Sequence, residues 1–414
     1  MSTDPNFDDF LLDVVTSLEL SDNDRRLVES RYRELKSHLE QPFSPLKDYL
    51  VDGESRIYAQ GSISIGATIV SGDDDRFDLD AIVEINVPTE WDNDRALDLL
   101  YDALQGFPNV REIERCTRCV QMRFATMHLD VTIMDPYASP RNEREGDIFH
   151  SPDQGPSYRV AANPFGFAVW FRGNVEERGN SNGFLKNLSE RRITNAIDRL
   201  GIRAADQDDL PPILPVRLDS QEVIALKLMK RYLNQRYGNR DLKKPPSVYV
   251  SKLAITCGRS QEGLAGQLRT LASHIIGQMD RALSENSGPD ERNPVFFPDR
   301  LNDRWPATQD DRRMLRQDMV ELLEVMERAR RGTIPEIFSA FGDLFGETIS
   351  RKAALRLRDR EAGGSNASPN RFLKETGTVV SAVTATPAIA KVSRPVPEHR
   401  FHWGLIRGAK KKGD

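Results

Sequence analysis

The segment Phe77-Asp78-Leu79-Asp80-Ala81-Ile82-Val83 constrains this chain more than any other. Apolar residues alternate with acids at a period of two, the pattern of an extended strand with one buried face. Leu79 and Ala81 then face the core. Asp78 and Asp80 project together from the opposite face, where both carboxylates can reach one point in space. A Gly61-Ser62 turn lies shortly before this strand. Two hard oxygen ligands beside such a turn make a metal-and-phosphate site, and that combination points to nucleotidyl transfer.

A third acid is needed if two metal ions are to be bridged. Asp130, in Leu129-Asp130-Val131, is the candidate: its strand is expected to pair with or near the Asp78/Asp80 strand. In a two-metal scheme one ion activates the attacking hydroxyl while the other neutralises the triphosphate and the leaving pyrophosphate. Asp130 would hold the first ion and accept the proton of the incoming 3′-hydroxyl. Gly61 lets the backbone approach phosphate, and Ser62 can donate from amide and hydroxyl, helped by a helix starting there. Gly66-Ala67-Thr68 extends the donor surface, whereas Asp73-Asp74-Asp75 reads as a solvated loop.

The chain of 414 residues is too long for one ordinary core and fits two domains or one bilobal enzyme. A 38% hydrophobic and 29% charged composition reads as globular, and a net charge of -5 argues against a bulk electrostatic grip on duplex nucleic acid. No apolar run approaches a membrane span, and Met-Ser-Thr-Asp-Pro lacks the features of a signal peptide, so the expected location is the cytoplasm. Three cysteines fit a reducing compartment rather than a disulfide framework.

Helical spacing opens the chain through Leu18 and, after a Ser21-Asp22-Asn23 cap signal, from Leu27 to Leu39. A strand through Ile57 and Tyr58 leads into Gly61. Phe77–Val87 is β-rich, Trp91–Leu104 helical, and Val120–Phe124 and Met127–Ile133 are two tightly joined strands. From Phe184 the spacing is helical almost throughout, with helices expected over Leu185–Leu200, Gln221–Tyr237, Ser247–Cys257, Leu264–Leu283, Asp310–Arg330 and Pro335–Phe345. The fold class is therefore α+β: a mixed-sheet catalytic lobe, then an all-helical lobe; the resemblance carried by Gln60-Gly61-Ser62 and Phe77-Asp78-Leu79-Asp80 implies the nucleotidyltransferase (polymerase-beta-like) type for the first. The expected division is 1–50, N-terminal helices packing on both lobes; 51–183, the catalytic lobe; 184–360, the helical lobe; and 361–414, an extended or flexible tail.

Gln60-Gly61-Ser62 followed by Phe77-Asp78-Leu79-Asp80 resembles the nucleotidyltransferase signature of the cyclic GMP-AMP synthase-like enzymes, and in particular the bacterial CD-NTases, the oligonucleotide cyclases of CBASS anti-phage systems. Asn163-Pro164-Phe165-Gly166, running on to Trp170-Phe171, looks like the element that follows the third catalytic strand in that family. Leu226-Lys227-Leu228-Met229-Lys230 and Pro246-Ser247-Val248-Tyr249 are similar to its helix pair that grips the donor triphosphate. The resemblance implies that Gln60, Gly61 and Ser62 contact nucleotide. It also implies that Lys230 and Ser247 contact the β- and γ-phosphates, and that Asp78, Asp80 and Asp130 hold two Mg²⁺ ions, or Mn²⁺ in their place. It further implies ATP and other NTPs as substrates, a cyclic di- or trinucleotide messenger that activates a separate effector, and an accessory protein engaging the enzyme or its tail. No zinc-ribbon insertion is present, so zinc-dependent DNA sensing is not implied. The rival readings are a linear nucleotidyltransferase acting on RNA or protein, and a non-catalytic nucleotide-sensing module.

Other features carry less. Cys116-Thr117-Arg118-Cys119 is a lone CxxC whose sulfurs, at strand spacing, point to opposite faces. His128 shares a face with Asp130 and reads as a structural histidine. Tyr158 and Tyr249 are base-stacking candidates, though such residues are more often core. Thr386–Pro397 reads as an extended arm.

Overall fold

The structure, a computed structural model, describes residues 5–51, 56–71, 76–138, 144–177, 220–364, 370–373 and 378–381. The helix expected over Leu185–Leu200, the Asp73–Asp75 loop and the Thr386–Pro397 arm lie outside the described residues. In chain order the first part contains α1 (Pro5–Leu18), α2 (Asp22–Leu39), β1 (Ile57–Gln60), α3 (Gly61–Ser64), β2 (Phe77–Glu84), α4 (Asn93–Ala103) and β3 (Glu112–Arg115). It continues with β4 (Val120–Arg123), β5 (Met127–Pro136), β6 (Gly146–His150), β7 (Tyr158–Ala162) and α5 (Pro164–Glu177).

One seven-stranded mixed sheet runs β1-β2-β5-β4-β3, with β6 joined to β5 and β7 to β6. β2 and β5 are parallel, in a register that sets Asp78 beside His128 and Asp80 beside Asp130. The other pairings are antiparallel. Because β2 occupies one edge of β5, β4 and β6 take the other edge in succession. Thr117-Arg118 and Ala125-Thr126 are two-residue turns, closed by Cys116 donating to the Cys119 carbonyl and Phe124 to that of Met127, each at 2.8 Å.

The two faces of β2 have different fates. Leu79, Ala81 and Val83 join Leu129, Val131 and Ile133 of β5 in a core covered by α2 and α4, through Val28, Tyr32, Leu35, Leu97 and Leu100. These helices form where apolar residues recur at helical spacing behind a cap. Ser21 and Asp24 make a reciprocal capping box for α2, and Asp92 caps α4. On the opposite face Tyr58, Ile82 and Met134 form a small apolar cluster with Phe165 of α5 over the far end. The near end carries Asp78 and Asp80 beyond that apolar cluster, with α3 packed against β2.

Beyond residue 219 the described elements are α6 (Gln221–Tyr237), α7 (Ser247–Thr256), α8 (Gly263–Ser284), β8 (Arg292–Asn293), β9 (Phe296–Arg300), α9 (Gln309–Arg330), α10 (Ile334–Phe345) and α11 (Glu347–Gly364). The hairpin β8–β9 corrects the all-helical expectation for this lobe. Pro294 and Pro298 exclude a continuous helix there, and Arg292–Asn293 pairs back on Phe296–Arg300 around Pro294. α1 packs against α6 and α8. Its Asp8 accepts from the backbone amides of Leu264 and Ala265 at 2.8 Å each, serving as the missing cap of α8. Residues 1–354 form one compact unit and residues 355–414 a second, in which β10 (Asn370–Leu373) and β11 (Thr378–Ser381) pair as a hairpin. Among the described residues no helix is long and apolar enough to cross a membrane.

Candidate active site

The three acids stand on one face of adjacent strands, and each meets different surroundings. Asp78 is exposed, its side chain 82% accessible, with His128 Nδ1 3.3 Å from its Oδ1. Asp80 is recessed, and its backbone carbonyl accepts from the Tyr32 hydroxyl of α2 at 2.9 Å. Asp130 lies directly beside Asp80 in the parallel register and accepts on Oδ1 from the Gln121 amide at 2.9 Å. Burial pushes the Asp80 carboxyl from 3.8 up to about 7, reinforced by the charges of Asp130 and Asp78 and opposed by Lys230. Burial likewise raises Asp130, against the lowering effect of its bond from Gln121. Both carboxyls therefore resist ionising, chiefly because of burial, and a bound cation would favour their charged form.

Facing the acids is the turn between β1 and β2. Gln60 is the antiparallel partner of Asp80. Gly61 follows with φ +62, and a Cβ placed there would fall 2.1 Å from Asp80 Oδ2, so the position excludes any side chain twice over. Ser62 sits in the first turn of α3, its hydroxyl 3.1 Å from that of Thr68. The Ala67 amide closes the loop onto the Ser62 carbonyl at 2.9 Å. From α6, the Lys230 amine reaches across to the Ala67 carbonyl at 3.0 Å. Burial lowers its pKa to about 8, the nearby Asp80 working against that fall. Ser247 opens α7 behind Pro246 and is exposed. The fold thus gathers Gln60, Gly61, Asp78, Asp80, Asp130 and Lys230 at one end of the sheet. The position of Ser247 is set by the start of α7.

The donor set suits magnesium. Among the described residues, no three Asp, Glu, His or Cys side chains converge closely enough to cage a metal by themselves. Mg²⁺ does not demand such a cage, since it keeps several waters and takes one or two carboxylates together with substrate phosphates. Asp80 and Asp130, side by side and mutually repelling, can supply that pair, and Asp78 can add a third oxygen by turning from His128.

One sequence expectation changes, and the two tyrosines divide. Cys116 and Cys119 do not point apart: they face one another across the Thr117-Arg118 turn, where the Cys116 amide donates to the Cys119 carbonyl at 2.8 Å and the two thiols are close enough to influence each other. The turn replaces the single extended strand on which the opposite-face reading depended. Tyr249 is fully buried, donates to Gln278 Oε1 at 2.8 Å and packs on Trp305, so no base can stack on it. Tyr158 remains 42% exposed, stacked on His150 with ring centroids 4.3 Å apart.

The Asn163-Pro164-Phe165-Gly166 element has a local structural task. Asn163 Oδ1 accepts from the Gly166 amide at 2.7 Å, capping α5, and a Cβ on Gly166 would collide with the Asn163 amide. The same Asn163 binds Asp299 and Asn293 of the β8–β9 hairpin through its backbone. Sequence reasoning missed Tyr32 and Gln121. Nothing local marks Tyr32, but Gln121 was within reach: the two-residue turn at Ala125-Thr126 forces Gln121 opposite Asp130.

A mixed sheet bearing an Asp-x-Asp strand beside a third strand acid, with a Gly-Ser turn against them and a helical region behind, is the architecture of a nucleotidyltransferase. No family model matches the sequence. The chain is 29% identical over 398 residues to the cyclic dinucleotide synthase CdnG of Bradyrhizobium diazoefficiens, covering 94% of this chain and 92% of that protein. The structure of that CD-NTase in complex with GTP superposes with a TM-score of 0.72 at 28% identity, covering 85% of this chain and 99% of the other. The fold is shared with the Vibrio cholerae cyclic AMP-GMP synthase DncV bound to nonhydrolyzable GTP (TM-score 0.54, 11% identity, 81% and 94% covered). It is shared also with Escherichia coli CdnC in a CdnC:HORMA complex (TM-score 0.53, 14% identity, 80% and 94% covered). Over nearly its whole length the chain is similar to this CD-NTase in sequence and in fold.

Proposed function

We propose that this chain is a Mg²⁺-dependent nucleotidyltransferase that joins NTPs into a cyclic dinucleotide messenger. The observation that carries the reading is the in-register pair Asp80 and Asp130, crowded by burial and like charge, with the Lys230 amine held nearby. The likeness to CdnG over nearly the whole chain supports a two-nucleotide ring as the product. Asp78, Asp80 and Asp130 would hold two Mg²⁺ ions, which when bound supply charge neutralisation along the triphosphate and acidify the acceptor hydroxyl.

The chain's own residues do the rest. Gln60, Gly61 and Ser62 seat the donor triphosphate, Gly61 by leaving the room that a side chain would take from Asp80. Lys230 exchanges the Ala67 carbonyl for phosphate oxygen, and Ser247 donates from the start of α7. Asp130 accepts the proton of the 3′-hydroxyl as its oxygen bonds to the α-phosphorus, and the bond from that phosphorus to the bridging oxygen breaks to release pyrophosphate. A second transfer within the linear dinucleotide closes the ring. We place the catalytic lobe at 51–183, the helical lobe at 184–360, N-terminal helices before them and the tail from 361. The setting we propose is the bacterial cytoplasm and anti-phage CBASS signalling, where the messenger activates an effector and an accessory protein engages the enzyme or its tail.

Purified protein incubated with labelled NTPs and Mg²⁺ is expected to give a phosphatase-resistant product, identified by mass spectrometry as a cyclic dinucleotide. The Asp78→Asn/Asp80→Asn variant should give none. A linear ladder, or identical behaviour of the two proteins, would overturn the reading.

A further inference from the structure

Asp130 is not left to find its own orientation. The strand register sets Gln121 of β4 directly opposite it, and the Gln121 Nε2 donates to Asp130 Oδ1 at 2.9 Å. Which end of that amide faces Asp130 is decided one residue pair further along the sheet. Arg123 Nε donates to Gln121 Oε1, also at 2.9 Å. A guanidinium only donates, so the amide oxygen must turn toward Arg123 and the NH₂ must turn toward Asp130. Arg123 is anchored in turn by Glu112 at 2.7 Å and by Glu114, both on β3. The result is a relay across three strands in which Arg123 donates to Glu112 and Glu114 on one side and to Gln121 on the other, and Gln121 donates on to Asp130.

The chemistry of the relay is selective. An arginine placed directly on Asp130 would fix the carboxylate but neutralise it, taking its charge from a metal or a proton. A neutral amide fixes the same oxygen and leaves the charge available, while the cation that orients the amide stays one group away. With Oδ1 turned to β4, Oδ2 is the oxygen free to serve the pocket shared with Asp80. Hydrogen-bonded supports of this kind are a general requirement of metal-binding carboxylates.

We propose that Gln121, oriented by Arg123, is the positioning residue that aims Asp130 at the metal and acceptor hydroxyl without reducing its charge. The inference rests on the role proposed above for Asp130. Its test uses the full chain loaded with a nonhydrolysable NTP, and it reads Mn²⁺ binding by electron paramagnetic resonance beside the Mg²⁺ dependence of turnover. Gln121→Met keeps the bulk and removes both polar ends. It should weaken Mn²⁺ binding, and raise the Mg²⁺ concentration for half-maximal rate, by about 10- to 100-fold. Donor KM at saturating metal and the melting temperature should be unchanged.

Gln121→Glu, which faces Asp130 with a second carboxylate, should lose more. Arg123→Met, which frees the amide to flip, should fall between wild type and Gln121→Met. Unchanged Mn²⁺ binding and Mg²⁺ dependence in a folded Gln121→Met protein overturn the inference, as does a Gln121→Glu variant that binds Mn²⁺ better than Gln121→Met. Asp130→Asn separates the two levels. If that variant itself binds Mn²⁺ normally, the proposed role of Asp130 fails; if it does not while Gln121→Met does, only the relay fails.

Discussion

Replacing Asp80 with Asn should make the metal-free protein more stable at alkaline pH while removing its activity. In the folded chain burial, with Asp130 and Asp78 adding to it, lifts the Asp80 carboxyl from 3.8 to about 7. In the unfolded chain it ionises near its ordinary value of about 3.9. Between those values the folded protein keeps a proton that the unfolded chain has released, so this group's contribution to stability is present below about pH 4 and is lost as pH rises to 7. A displacement of about three pH units at about 1.36 kcal/mol each sets a ceiling of about 4 kcal/mol. Asn carries no charge to bury, but it also removes the attraction that supports the Lys230 amine, leaving a net gain of about 2 kcal/mol at pH 8. One kcal/mol moves the melting temperature by about 2–4 °C in domains of 150–250 residues and by less in a unit this long, so a rise of a few degrees is expected.

Thermal unfolding followed in EDTA from pH 5 to 9 reads this directly. The Asp80→Asn curve should cross above wild type near neutrality and flatten. Adding Mg²⁺ with a nonhydrolysable NTP should then reverse the order, because only wild type gains from binding. An Asn variant less stable than wild type at pH 8 in EDTA, or one whose pH curve runs parallel to wild type, would refute the reasoning.

Two further outcomes follow from the same geometry. Gly61→Ala puts a methyl against Asp80 Oδ2 at a residue with φ +62, so it should cost about 1–3 kcal/mol and abolish product formation, checked by urea unfolding and by nucleotide analysis. Lys230→Met removes a hydrogen bond from a charged donor, worth about 1.5–3 kcal/mol, so kcat/KM for the donor nucleotide should fall by about 10- to 100-fold at saturating Mg²⁺ in a steady-state pyrophosphate-release assay.

Much of this architecture was readable before any coordinates because it rests on strong periodicity. Alternation in Phe77–Val83 gives a strand with one buried face, and Leu79 and Ala81 do enter the core under α2 and α4. The helices from Gln221 and from Gln309 have long apolar stripes and cap signals, and their observed ends differ from expectation by a residue at most. The short strands β3, β6 and β7 left no such trace, because a stretch of four or five residues is held by its neighbours rather than by its own pattern. The same reason explains the cysteine pair: whether i and i+3 diverge or meet depends on a two-residue turn, and only the pairing of β3 with β4 decides that.

Lys230 shows where legibility ends. The sequence singled it out through family resemblance, because a lysine on a helix with ordinary spacing is indistinguishable from a solvated charge. Its surroundings supply the missing physical argument. The side chain is desolvated enough to pull its pKa toward 8, yet it donates to a neutral backbone carbonyl, that of Ala67, while Asp80 attracts it through space. A cation held in place by a carbonyl is weakly satisfied, and an incoming triphosphate offers more. Because the carbonyl belongs to the loop that also positions Ser62 through Thr68, releasing Lys230 from Ala67 couples the helical region to the phosphate-facing turn. Donor binding should therefore alter the hydrogen-exchange protection of residues 62–68 in wild type and leave it unaltered in Lys230→Met. A variant that showed the full wild-type change would break that coupling argument.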